Sequence, residues 1–218
     1  MLISNTNPIH LTNSQFPLGG RSHVPRGKVS FKKNLLSPYP KCSSPPPLLT
    51  HPFSNSGYGV AHFAETLLRD RQDSLEGKRC MIIGSGRVAQ TLAAKLLEYG
   101  AIPISFSDSS GHIHEPEGFD RGKLRTVVKV KGERGAKVGR YIIASTTATY
   151  NDPDSIWDIP CDLCFPCSTM GVIGEEEARR LGDNGCEGVI EGGNSAVDAE
   201  GRKELKKLGM LHGPSTIR

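Results

Sequence analysis

The sequence predicts an α/β fold, a doubly wound and mostly parallel sheet preceded by a disordered arm. Three observations predict it. Short continuous apolar runs, such as Cys80-Met81-Ile82-Ile83, read as parallel strands buried on both faces. Segments of helical period alternate with these runs. A glycine loop, Gly84-Ser85-Gly86-Arg87-Val88-Ala89, joins the first run to the helix after it without a gap.

The arm is residues 1–52. Residues 1–64 contain no Asp or Glu, but hold six basic residues, nine Ser and nine Pro. Pro45-Pro46-Pro47 fits neither a helix nor a central strand, and no sustained apolar period appears there. A basic, Ser-rich, acid-free leader has the composition of an organelle transit peptide. That reading places the protein in a plastid or mitochondrion; ordinary disorder leaves it in the cytoplasm. Beyond residue 64, 21 basic residues face 23 acidic ones, net −2, which argues against a nucleic-acid binder. No run of about 18 apolar residues exists to span a membrane. Six irregularly spaced cysteines with no signal peptide favour a reducing compartment over a disulfide framework.

The domain is 53–218. Its elements follow in order. Ser56 is placed to cap a helix carrying Val60, Phe63, Ala64, Leu67 and Leu68 on one face. After the strand at 80–83 and the glycine loop, Val88, Leu92, Ala93, Leu96 and Leu97 mark a second helix, stopped at Gly100. Ile102 to Phe106 reads as the next strand and closes a βαβ unit. Further on the sequence predicts a helix over Asp120 to Lys131, a short strand at Tyr141-Ile142-Ile143 and a strand within Pro160 to Pro166. A helix from Glu175 to Leu181 follows, with three acids in its first turn. Then come a strand at Gly188 to Glu191, a helix from Ala199 to Leu208, and a last strand at Met210-Leu211-His212.

The glycine loop carries the chemistry. Gly84 permits the tight turn, Gly86 the approach of a pyrophosphate, and Ala89 close helix–strand packing, while the helix N-terminus offers free N–H groups to phosphate. The context makes it a Rossmann-type dinucleotide loop. Asp108 stands 24 residues after Gly84, just past the second strand, where an acid accepts the ribose hydroxyls of NAD. Ser107, Ser109 and Ser110 surround it with hydroxyl donors and Arg87 lies in the glycine loop, a set that suits the 2′-phosphate of NADP, so spacing leaves both coenzymes open.

Five segments in order resemble the NADP-dependent glutamate dehydrogenases of the Glu/Leu/Phe/Val dehydrogenase family. They are Ser56-Gly57-Tyr58-Gly59, residues 84–90, Ser107-Asp108-Ser109-Ser110-Gly111, Pro166-Cys167-Ser168-Thr169 and Glu191-Gly192-Gly193-Asn194. The resemblance implies hydride exchange between a nicotinamide and the α-carbon of glutamate, yielding 2-oxoglutarate and ammonia, and the reverse. It tilts the coenzyme toward NADP. It implies that Ser56, Gly84, Ser85, Gly86, Arg87, Val88, Asp108, Ser109, Cys167, Ser168, Thr169 and Asn194 contact that coenzyme, Arg87 standing where the family has Asn.

The family's lysines and aspartate that activate substrate have no counterpart in residues 1–55, and its segment beyond Pro214 has none in Ser215 to Arg218. The expectation is a C-terminally truncated coenzyme domain without its catalytic half, inactive alone. The alternatives are a non-catalytic NADP-binding module, self-associating or assembled with full-length dehydrogenase subunits, and a domain too incomplete to hold coenzyme.

Other constellations read as structural. Cys161-x-x-Cys164-x-x-Cys167 lacks a fourth ligand, and strand alternation sends Cys161 and Cys164 to opposite faces. His112 and His114 read as solvated histidines on a surface turn. Trp157 reads as a core anchor, and Arg202, Lys203, Lys206 and Lys207 as a solvated helix face.

Overall fold

The computed structural model describes residues 55–215. The arm at 1–52, with its transit-peptide reading, lies outside them. Five parallel strands make the main sheet, in the order β2-β1-β6-β7-β8: β1 (Arg79–Ile83), β2 (Ile102–Pro103), β6 (Leu163–Pro166), β7 (Gly188–Ile190) and β8 (Leu211–Gly213). A three-stranded antiparallel sheet, β3 (Ser105–Asp108), β4 (Gly111–His114) and β5 (Thr149–Asn151), stands beside it. The helices are α1 (Asn55–Arg69), α2 (Arg87–Glu98), α3 (Arg121–Gly132), α4 (Glu175–Asp183) and α5 (Ala199–Lys207).

Alternation along the strands divides the core between the two faces. Cys80 and Ile82 of β1 join one cluster with Ala64, Leu68, Leu92, Leu96 and Phe165. Met81 and Ile83 join the other, with Cys164, Val189, Ala178, Leu181, Leu205 and Trp157. Trp157 is thus the core anchor its flanking isoleucines suggest, and the four basic residues of α5 are exposed. The crossing of α1 on α2 is set by Gly57, where a Cβ would lie 2.2 Å from Thr91 Oγ1 and 2.5 Å from the backbone of Val88 and Leu92.

Several expectations need correction. Ser56 does not cap α1, because the helix already includes Asn55. Ile102 to Phe106 is not one strand but two, in different sheets. Backbone bonds to the β1 side run from Ile102 N–H to Lys78 O and from Ile104 N–H to Cys80 O, and beyond Ile104 serine hydroxyls join the contact. Ser105 Oγ accepts from Ile82 N–H at 3.1 Å and donates to Ile82 O at 3.2 Å. Ser107 Oγ accepts from Gly84 N–H at 2.9 Å. The backbone of β3 is thereby free to pair with β4.

Tyr141-Ile142-Ile143 is not a strand; it lies in a 3-10 segment, Val138–Ala144. Val138 N–H donates to Asp108 and the Tyr141 hydroxyl to Glu115, and Ile143 projects into solvent. His112 and His114 lie on β4, not on a surface turn. His112 is buried with Nδ1 2.9 Å from Asp152 O, and His114 Nε2 is buried without a partner among the described residues. Cys161 precedes β6, so strand alternation does not govern it, and it shares a cluster with Cys164 instead of opposing it. No group of metal-ligating side chains occurs among the described residues.

Candidate functional site

The site lies at the carboxyl ends of β1, β6 and β7, where the strand order reverses and an open α/β sheet leaves a crevice. The chain leaves β1 through Gly84 at φ +115°, a conformation that side chains resist, and a Cβ there would lie 2.8 Å from Cys167 O. Gly84 is therefore required by the protein itself. Gly86 is not: its φ is −76° and a Cβ would meet nothing within 4 Å. Gly86 opens α2 without a side chain to cap it, so among the described residues first-turn N–H groups there await acceptors. A glycine with nothing of its own fold against it, below uncapped N–H groups, fits the close approach of a phosphate from outside.

Two hollows flank the loop. One, of about 430 Å³, is lined by Gly84, Asp108, Ser109, Trp157, Ser168 and Thr169, among others. The other, of about 650 Å³, is lined by Ser56, Val60, Phe63, Val88, Cys167, Ser168 and the Glu191-Gly192-Gly193-Asn194 turn, among others. Ser168 lines both, and its Oγ is buried without a partner among the described residues. Nine of the twelve residues singled out in the sequence therefore line one hollow or the other. Ser85, Gly86 and Arg87 line neither: Ser85 is buried, Gly86 and Arg87 are exposed at the head of α2.

At the end of β3, Asp108 is not a bare acceptor. Its carboxylate takes hydrogen bonds from Ser110 N–H at 3.0 Å, Ser110 Oγ at 2.6 Å, Val138 N–H at 2.8 Å and Lys131 Nζ at 3.0 Å. Burial pushes its pKa up, but the Ser110, Val138 and Lys131 bonds outweigh it and hold the group at about 2. Lys137 Nζ donates to Ser109 Oγ at 2.8 Å. Lys131 and Lys137 were not singled out in the sequence. They come from α3 and the segment after it, at no motif spacing from Asp108, and only tertiary packing brings them there.

In the larger hollow, Cys167 is pushed up to about 12 by burial, so it stays a neutral thiol. The Glu191 turn folds back on β6, Gly192 and Gly193 N–H both donating to Pro166 O. Glu191 itself accepts from Ala196 N–H at 2.8 Å and sits 2.9 Å from His212 Nε2. The Glu191–His212 pair also escaped the sequence reading, since 21 residues separate its members. Apart from the thiol, Glu191 is the only titratable side chain among the described residues that lines this hollow.

Taken together, the parallel sheet, its crossover helices and the glycine loop at the strand ends define the Rossmann class of doubly wound α/β domains. Residues 53–217 match the model of the Glutamate/Leucine/Phenylalanine/Valine dehydrogenase family, and the chain belongs to that family. It is 40% identical over 163 residues to an NADP-specific glutamate dehydrogenase of Chlorella sorokiniana, covering 73% of this chain and 31% of that relative. Against an NADP-specific glutamate dehydrogenase of Escherichia coli it is 33% identical over 159 residues, 73% of this chain and 35% of that one. Among solved structures it resembles Plasmodium falciparum glutamate dehydrogenase 2, with TM-score 0.72 and 40% identity over 74% of this chain and 36% of that chain. The chain thus spans about a third of the length of these relatives.

Proposed function

We propose that this chain is a coenzyme-binding domain of glutamate dehydrogenase type, holding NADP(H) in preference to NAD(H) along the two hollows. The observation that carries the reading is the open cradle at Gly86, set between hollows that share the unpartnered Ser168 hydroxyl. In this reading the α2 N-terminus and the 84–88 backbone hold the pyrophosphate. The hollow with Asp108 and Ser109 takes the adenosine half, and the one with Ser56, Val88, Cys167 and Asn194 takes the nicotinamide half. Ser168 donates between them, and Thr169 lines the adenosine side.

The NADP preference rests on charge. The ribose hydroxyls of NAD want a free carboxylate, but every approach to Asp108 is taken by its own neighbours. Lys131 on Asp108 and Lys137 on Ser109 instead bring cations suited to a 2′-phosphate to that end.

The bound coenzyme would supply the nicotinamide that exchanges hydride. The chain's own part is to orient it and to exclude water. Proton transfer to and from an amine needs a free acid or base within hydrogen-bond reach. Glu191 is engaged and Cys167 is neutral, so this wall of the cleft offers none. The acid and base, and the glutamate site itself, are then supplied by another domain or subunit of the same family.

The test is titration of the purified chain with NADPH and NADH by nicotinamide fluorescence, alongside thermal melting. Micromolar NADPH affinity with weaker NADH is expected. Lys137→Ala should weaken NADPH about tenfold, the effect of about 1.4 kcal/mol, while leaving NADH unchanged. No binding by a chain that melts cooperatively would reject the reading. Vigorous glutamate oxidation by this chain alone would reject the assignment of proton transfer elsewhere.

A further inference from the structure

Five of the six cysteines lie among the described residues, all of them free. Two meet at the end of the sheet opposite the hollows. The β6–β7 register pairs Leu163 with Gly188 and Cys164 with Val189. Cys161 and Cys186 each stand two residues before the start of these neighbouring strands. A last inter-strand bond, from Glu187 N–H to Asp162 O at 2.8 Å, joins the residues next to the two cysteines. Both side chains fall in the same apolar cluster, on the same face of the sheet, and are nearly fully buried. The neighbouring Cys186 thiol is the foremost influence raising the Cys161 pKa, ahead of burial, and the Cys186 thiol itself donates to Gly188 O at 3.2 Å. Adjacent strands run about 4.8 Å apart, inside the roughly 4.4–6.8 Å between Cα atoms that a disulfide bridges.

We propose that Cys161 and Cys186 are a modification site: a dithiol that a low-molecular-weight disulfide converts reversibly into an intrachain disulfide. One cysteine, as thiolate, attacks the oxidant's S–S bond and forms a mixed disulfide, releasing one small thiol. The other attacks the cysteine sulfur of that mixed disulfide and expels the second small thiol. Two protein thiols are oxidised, the oxidant is reduced to two thiols, and the two protons leave on them. Cys164 is the nearest competitor, but its register partner is Val189. Burial and the neighbouring thiol keep Cys161 protonated, so exchange is slow and proceeds through local opening at the strand ends. The link fastens two adjacent core strands at their starts, away from the hollows, and restricts the unfolded chain. The oxidised form therefore melts higher.

The experiment incubates the full chain with oxidised glutathione, traps free thiols by alkylation, and maps linked peptides by mass spectrometry. The expected product joins the peptides of Cys161 and Cys186, reverts with dithiothreitol, forms equally in Cys164→Ala and melts several degrees above the reduced chain. Cys161→Ser should abolish it; should that variant not fold, the map of the unmodified chain decides alone. The proposal is overturned if both thiols remain alkylatable after prolonged incubation. It is equally overturned if glutathione adducts accumulate without a link, or if Cys80, Cys164 or Cys167 supplies the dominant bond.

Discussion

The two sheets close their interiors by different means. The parallel sheet buries apolar side chains: Met81, Ile82, Leu163, Phe165 and Val189 are fully inaccessible, and its helices add Leu92, Leu96, Leu181 and Leu205. The antiparallel sheet and the loops against it bury Ser105, Ser107, His112 and Glu115. Glu115 is wholly inaccessible and accepts from Tyr141 Oη at 2.8 Å, Ser145 Oγ at 2.7 Å, Thr147 Oγ1 at 2.6 Å and Lys123 Nζ at 2.9 Å. One region is held by non-directional burial that tolerates exchange of like for like. The other adds to its buried Phe106, Ile113 and Phe119 a network in which each member must keep its partner.

The sharpest way to break that contrast is Glu115→Ala. It strands the Lys123 ammonium and three hydroxyls in one step, and loss of one member of a buried charged network costs about 3–5 kcal/mol. Ile82→Val, at an equally buried position of β1, should cost only about 0.5–1.5 kcal/mol. Urea unfolding of the two variants compares them directly; equal midpoints would mean that the polar network carries no special share of stability.

Acid should separate the regions too. Burial raises the Glu115 pKa, but the bonds from Thr147, Lys123, Ser145 and Tyr141 prevail and hold it at about 2. The unfolded value is about 4.3. A pKa lower in the folded state gives stability that is present above the unfolded value and lost as pH falls through the folded one. Glu115 thus contributes on the order of 3 kcal/mol at neutral pH. That contribution drains away between about pH 5 and pH 2, with a smaller, solvent-screened share from Asp108. Unfolding midpoints at pH 7 and pH 3 measure it. Glu115→Gln should be less stable at pH 7 and lose less on acidification. An unchanged acid slope in that variant would place the acid sensitivity elsewhere.

Where the sheets join, Ser105→Ala tests whether a hydroxyl truly stands in for a strand. Ser105 Oγ satisfies both the N–H and the C=O of Ile82. Its loss leaves buried backbone groups unpaired, at about 1–3 kcal/mol. Amide exchange at Ile82 should quicken in the variant. Protection equal to that of Cys164, in the middle of the parallel sheet, would show that water or a backbone shift repairs the gap.

This division also explains what could be read beforehand. Cys80-Met81-Ile82-Ile83, the heptad-like face of α2 and the acids opening α4 carry their structure locally, through apolar runs, period and capping. The parallel strands and their helices were legible for that reason, except for where the second strand ends. The antiparallel sheet was not, because it is built from residues that look solvated in sequence. Ser105 and Ser107 pattern as breaks in an apolar strand, His112 and His114 as surface histidines, and Tyr141-Ile142-Ile143 is too short a run to show its period. Only tertiary partners reveal them: Ile82 for Ser105, Asp152 for His112, Glu115 for Tyr141. The candidate site divides likewise. The glycine loop and Asp108 were visible as spaced motifs, whereas Lys131, Lys137 and the Glu191–His212 pair depend on packing between distant segments.

The smallest expected change in stability is the most informative about function. Gly84 and Gly86 look equivalent in sequence. Gly84 is tied to both sheets, since its N–H donates to Ser107 Oγ and its carbonyl accepts from Ser107 N–H at 3.2 Å. Its positive φ and the nearby Cys167 carbonyl explain its glycine without any ligand. At Gly86 the fold makes no such demand, so Gly86→Ala should leave the melting temperature within a degree or two, or raise it slightly by stiffening the unfolded chain. A methyl group there would, however, occupy the space through which a pyrophosphate reaches the α2 amides. NADPH affinity should fall by one to two orders of magnitude, roughly 1.4–2.8 kcal/mol. If Gly86→Ala binds NADPH as tightly as the unsubstituted chain, the coenzyme does not approach α2 at this point. If it loses affinity and stability together, Gly86 serves the fold after all, and the contrast between the two glycines fails.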